Sequence, residues 1–113
     1  MRIRKVMDLL SADLLYGEDL SREIHTAFAG DLMSDVLAYA GSCGVLLTGL
    51  VNAQVVRTAD MLDINCICFV RGKTPGDDIL ALAKSKNMVI LRTEHLMFTS
   101  CGILYENGLK GGR

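Results

Sequence analysis

The sequence is poor in aromatic residues, which make up 5% of its 113 positions and include no tryptophan. A chain this short has limited interior volume, so part of its apolar surplus is expected to stay at the surface and to be covered in a homodimer. Long hydrophobic runs are also missing: Asp, Thr, Gly and Asn break the apolar residues into pieces well short of the ~18 that a membrane span requires. This excludes a membrane partner and implies a soluble protein.

Neither sign of charge dominates. Twelve Lys and Arg stand against thirteen Asp and Glu, for a net charge of -1, which lacks the basic footprint of a nucleic-acid binder. The opening MRIRKVMDLLSADLL begins with basic residues, but Asp8 and Asp13 interrupt its apolar part and no small-residue cleavage site follows. A cytoplasmic protein is therefore expected.

Cys43, Cys66, Cys68 and Cys101 lack the paired C-x-x-C spacing of a zinc site, and two of them lie inside the apolar run INCICFV. They read as core thiols, with no metal and no cofactor implied. Glycine-rich phosphate loops of the G-x-x-x-x-G-K-S/T or G-x-G-x-x-G kind are absent as well. His25 and His95 are the only imidazoles, and no nucleophile, base and orienting acid assemble around them in sequence, so no catalytic residue is assigned and the protein reads as a non-enzyme.

What is present is a regular alternation. Ile3, Val6, Met7 and Leu10 predict an amphipathic helix ending near Ser11, followed by short strands over Leu14 to Tyr16 and Ile24 to Ala29, with the polar GEDLSRE turn between them. Asp31 can cap the next helix, whose stripe is Met33, Val36, Leu37 and Ala40, with Gly41 as its left-handed terminator. GVLLTG then suits a strand buried on both faces.

Asn52 is the expected cap of a helix with Val55, Ala59 and Leu62 inward, and NCICFV follows as a strand. In RGKTPGDD, Thr74 can cap, Pro75 suits the first helical position, and Asp77 and Asp78 complement the dipole of a helix that buries Ile79, Leu82 and Ala83. Lys84, Lys86 and Asn87 mark its end. MVILRT is one more strand. Thr93 is the expected cap of a last helix over roughly Glu94 to Asn107, with Met97, Cys101 and Leu104 inward and Gly108 as the stop before a frayed tail over 108–113. Met33, Met61, Met88 and Met97 are spaced as core residues.

From residue 31 onward the order is helix, strand, helix, strand, helix, strand, helix. This predicts one three-layer α/β domain over 1–113, with a mostly parallel sheet flanked by helices.

The segments DLMSDVLAYA, LLTGLVNAQVVRTADML, FVRGKTP and TEHLMFTSCGILYENGL together resemble the DRTGG family over nearly the whole chain. The resemblance implies a fold similar to the HPr kinase N-terminal domain. It also implies a regulatory or structural role, as in long phosphate acetyltransferases and in pyrophosphatases that carry CBS modules. The family's name-giving motif falls on Val56, Arg57, Thr58, Ala59 and Asp60, where Arg57 and Thr58 keep the residue types while the aspartate and both glycines are absent. Arg57 and Thr58 are then candidates for a ligand edge or interface; the plainer reading pairs Arg57 with Asp60 on the helix surface.

In such sheets, ligands bind beyond the carboxyl ends of the strands. Three segments fall there: Thr48, Gly49 and Asn52; Arg71, Gly72 and Lys73; and Thr93, Glu94 and His95. Their donors would suit a phosphate or carboxylate, and so a small anionic metabolite; the resemblance to members embedded in larger enzymes implies the alternative of an adenine-nucleotide or metabolite sensor that controls a partner enzyme. The same residues also read as caps, turn glycines and solvated charges. Asp31, Ser34 and Asp35 likewise read as the cap and first turn of a helix rather than as catalytic acids.

Overall fold

The computed structural model describes residues 1–42 and 44–112. The elements are α1 (Ile3–Leu9), β1 (Asp13–Tyr16), β2 (Thr26–Ala29), α2 (Met33–Tyr39), β3 (Gly44–Thr48), α3 (Ala53–Met61), β4 (Cys66–Phe69), α4 (Asp77–Ser85), β5 (Val89–Arg92) and α5 (Met97–Glu106). The strands form one sheet in the order β1-β5-β4-β3-β2. β2 through β5 run parallel, and β1 adds to β5 in the opposite sense.

Because each parallel strand is laid beside the previous one in the same direction, crossovers of one hand place their helices on one face of the sheet. Met33 and Val36 of α2, Val55, Val56 and Ala59 of α3, and Ile79 and Ala83 of α4 accordingly pack with Leu46, Ile67, Phe69 and Ile90. The other face is closed by the two ends of the chain. Ile3, Val6 and Leu10 from α1 and Leu104 from α5 cover Val45, Leu47, Cys66, Cys68, Val89 and Leu91. The alternation of odd and even positions between the two clusters is the period-two geometry of a strand buried on both sides.

The two front strands, which the sequence leaves unplaced, lie at opposite edges of the sheet. The second begins at Thr26 rather than Ile24, since the preceding residues serve the chain start instead: Ile24 N–H donates to the Met1 carbonyl at 2.6 Å and Ile3 N–H to that of Arg22 at 3.0 Å. Gly17 ends β1 at φ +129°, and a Cβ there would stand 2.8 Å from Val89 Cγ2, so only glycine suits the turn.

Several predicted helix boundaries shift for identifiable reasons. Gly108 (φ +102°) and Asn87 (φ +56°) do terminate α5 and α4 in the left-handed region. Gly41 does not, because α2 stops one residue earlier with Ala40 already extended. α4 begins at Asp77 with Gly76 before it, so Thr74 is not its cap; the Thr74 hydroxyl turns back to the Gly72 carbonyl at 3.5 Å. α5 begins at Met97, since Thr93 uses its hydroxyl elsewhere.

Within the expected frayed tail, Leu109 is instead buried at 4% exposure, and the Lys110 carbonyl accepts a hydrogen bond from the Ala27 N–H at 3.0 Å. This covers the open edge of β2 where it would otherwise offer unpaired backbone groups. Of the methionines expected inside, Met33 and Met88 are buried and Met97 is half-buried, but Met61 is 70% exposed. It lies two residues beyond the buried Ala59, hence on the opposite side of α3. Leu37 is likewise exposed on the two-turn α2.

Candidate functional site

The carboxyl ends of β3, β4 and β5 and the loop after β2 meet at one edge of the sheet. β3 ends on Thr48, which is fully buried, and the chain passes through Gly49 to Asn52, whose side-chain oxygen accepts the Val55 N–H at 3.3 Å and caps α3. Asn52 is thus the cap the sequence predicts. β4 leads into Arg71 and Gly72, both left-handed at φ +62° and +66°. That turn directs the Arg71 N–H to the His95 carbonyl and the Gly72 N–H to the Thr93 carbonyl, each at 2.9 Å. The loops after β4 and β5 are therefore joined by their backbones.

Asp31 lies at the centre of this edge. It does not cap α2, where Leu32 holds the cap position without a side-chain bond. Its Oδ1 accepts the Thr48 hydroxyl at 2.9 Å and the Gly49 N–H at 2.8 Å, and its Oδ2 faces the Arg71 guanidinium at 4.0 Å. Two poorly accessible donors left without an acceptor cost more than a missing surface cap, which explains the choice. A Cβ on Gly49 would stand 2.8 Å from Arg71 Nε, so any larger residue there would push the Arg71 side chain away from Asp31. Asp31 and Arg71 remain about half exposed, at 52% and 45% of their side chains.

Beside this group, Arg92 donates to Asp13 at 3.0 Å, to Glu94 at 2.7 Å and to the Gly72 carbonyl at 3.2 Å. It is 23% exposed and is neutralised by two carboxylates. Thr93 is 1% exposed; its hydroxyl donates to the Leu10 carbonyl at 2.7 Å and accepts the His95 N–H at 3.3 Å. Thr93 is thus a tie between α1 and β5, with no free donor for a ligand.

Of the predicted site residues, the structure brings together Thr48, Gly49, Asn52 and Arg71, with Thr93 adjoining through the β5 loop. Arg57 and Thr58 do not join them. Arg57 is exposed on α3, while Thr58 is fully buried and accepts from Gln54 Nε2 at 3.4 Å. Asp60, expected to pair with Arg57, pairs at 3.4 Å with Lys86, the residue that closes α4. Helix neighbours lose here to a lysine that the α3–α4 contact brings alongside. Sequence reading missed Asp31 and Arg92 as members of this edge. Asp31 carried a signal, an acid directly after a parallel strand; Arg92 carried none, since its Asp13 partner is 79 positions away.

Other groups lie apart. His25 precedes β2 and lines a recess of about 230 Å³ with Arg22, Glu23, Gly44 and Asn65 at the amino ends of the strands, opposite His95. An apolar recess of about 300 Å³ sits between β2, α5 and the tail, with Phe28, Leu104 and Tyr105 in its wall and Lys110 as its charged residue. It shares no residue with the charged edge. Among the described residues no three His, Cys, Asp or Glu side chains group as metal ligands. Cys66 and Cys68 are core thiols as expected, Cys101 is half-buried, and Cys43 lies outside the described residues. Burial pushes the Cys66 thiol far above its ordinary range and that of Cys68 up to about 12.

The architecture is that of a DRTGG-like α/β fold. It matches the regulatory region of Clostridium perfringens pyrophosphatase, a structure of CBS and DRTGG domains complexed with the activator diadenosine tetraphosphate. The TM-score is 0.70 at 18% identity, over 91% of this chain and 45% of that one, so the chain spans about half of that structure. No protein-family model matches the chain, and no curated protein matches it in sequence. No helix is long and apolar enough to cross a membrane among the described residues.

Proposed function

We propose that this chain is a non-enzymatic regulatory module, acting in the cytoplasm as a homodimer, that binds a small phosphorylated anion of the nucleotide class beside β3 and β4. The observation that carries the reading is the convergence of the Thr48 hydroxyl, the Gly49 N–H and the Arg71 guanidinium on a single carboxylate group. Hydrogen bonds to an ionised acceptor are the strong ones, and a cradle that holds one anionic group has the chemistry to hold another. The Ala53 and Gln54 N–H groups, in the first turn of α3, have no acceptor among the described residues.

An adenine nucleotide is favoured over other anions by the likeness in fold to a regulatory region complexed with diadenosine tetraphosphate. The module would then report ligand occupancy to a partner enzyme. Self-association is supported by Leu32, Leu96 and Phe98, which are 61%, 62% and 89% exposed and would be covered between two copies.

Thermal denaturation with ATP, diadenosine tetraphosphate and acetyl phosphate tests the ligand reading. A ligand present at a hundred times its dissociation constant stabilises the folded state by about 2.7 kcal/mol, which is readily measured as a rise in Tm. The rise should disappear in Arg71→Met. Unchanged Tm with all three at millimolar concentration would sink the proposal.

A further inference from the structure

Resting on the anion site just described, we infer that Asp31 is its specificity-determining residue: a tethered carboxylate that occupies the cradle and admits only anions of higher charge, of the phosphoryl class. In the structure the cradle is satisfied by the chain itself. Thr48 Oγ1 and Gly49 N each donate to Asp31 Oδ1, at 2.9 and 2.8 Å, and Arg71 stands 4.0 Å from Oδ2. The carboxylate is 52% exposed and precedes α2 without capping it, so it can swing to solvent without removing a cap bond from the helix.

An incoming anion must therefore displace a group whose effective concentration is set by covalent attachment. A monocarboxylate offers the same charge and the same oxygens as Asp31 and gains nothing by exchange. A phosphoryl group brings a charge of about -1.5 to -2 and three acceptor oxygens. It can therefore satisfy Thr48 and Gly49 while also meeting Arg71, which Asp31 only approaches. Displacement of Asp31 releases its side chain from Thr48 and Gly49 while the Gly30 N–H stays bonded to the Leu47 carbonyl at 3.0 Å, so the change that reports occupancy is confined to Asp31 and the start of α2.

The test compares wild type with Asp31→Asn, using inorganic pyrophosphate and acetate as probes, with calorimetry for affinity and the Gly49 amide resonance for location. Asparagine keeps an oxygen for Thr48 and Gly49 but removes the competing charge. The expected result is about tenfold tighter pyrophosphate binding in the variant, a gain of about 1.4 kcal/mol. Acetate should move the Gly49 resonance in the variant and leave it unmoved in wild type.

If wild type binds pyrophosphate and Asp31→Asn binds it no better, the gate is refuted while the site stands. If neither protein binds it at millimolar concentration, the site reading fails and the gate with it. Should Asp31→Asn fold poorly by circular dichroism, Asp31→Ser, too short to fill the cradle, carries the same expectation of tighter pyrophosphate binding. In the Asp31→Asn background, adding Arg71→Met should return the affinity to the wild-type level or below. Retained tight binding there would place the pyrophosphate elsewhere and overturn the assignment.

Discussion

The buried hydroxyl of Thr93 donates to the main-chain carbonyl of Leu10 at 2.7 Å, joining the end of β5 to the end of α1 across 83 positions. The same oxygen accepts the His95 N–H, so one hydroxyl fixes both the chain start and the loop that receives Arg71. Thr93→Val keeps the shape and removes both bonds. The loss should be about 1–3 kcal/mol, the cost of leaving a buried group unsatisfied, measured as a lower urea midpoint with the slope unchanged.

Helix caps provide a paired comparison. Asn52 bonds Val55 N–H, whereas Thr74 bonds no helix N–H. Asn52→Ala should therefore destabilise by about 1 kcal/mol, and Thr74→Ala should stay within about 0.5 kcal/mol, as surface changes do. Equal losses at the two positions in urea titrations would contradict the assignment of the start of α4.

Gly17 combines φ +129° with close approach to Val89. Gly17→Ala should cost about 1–3 kcal/mol through backbone strain alone, with further loss from the contact. The measurable outcome is a fall in Tm together with weakened amide protection in β1, which hangs on this turn at the sheet edge.

Thiol chemistry should sort by burial. Desolvation holds Cys66 and Cys68 protonated, Cys68 up to about 12, while Cys101 is only half-buried and its rise is smaller. A raised value means that the reactive thiolate is scarce below it. Of the three described cysteines, Cys101 should be modified first when the native protein is treated with iodoacetamide at mildly alkaline pH. Cys66 and Cys68 should be labelled only at the rate of unfolding, as read by peptide mass spectrometry.

Self-association should depend on exposed rings rather than on the core. Phe98→Ser, at a position 89% exposed, should leave stability within about 0.5 kcal/mol and shift light-scattering mass toward the monomer. A wild-type protein that is monomeric at micromolar concentration would remove the homodimer from the proposed function.

Local pattern in the sequence located the elements and most of their inward faces, Leu37 and Met61 excepted. The strands GVLLT and CICF, the helix that Asn52 caps, the acidic first turn of α4 and the stops at Asn87 and Gly108 all follow from local rules: period, capping and left-handed propensity. Tertiary structure decided whatever depends on distant partners. Asp31 had a local use as a cap and abandoned it for Thr48 and Gly49, 17 and 18 positions on; Asp60 passed over Arg57 for Lys86; the tail was held by β2. In each case a side chain or backbone group had two suitors of similar local merit, and burial of the distant donor or the packing of two elements settled the choice. Local pattern cannot record such a preference, because the partner's burial exists only once the sheet has formed.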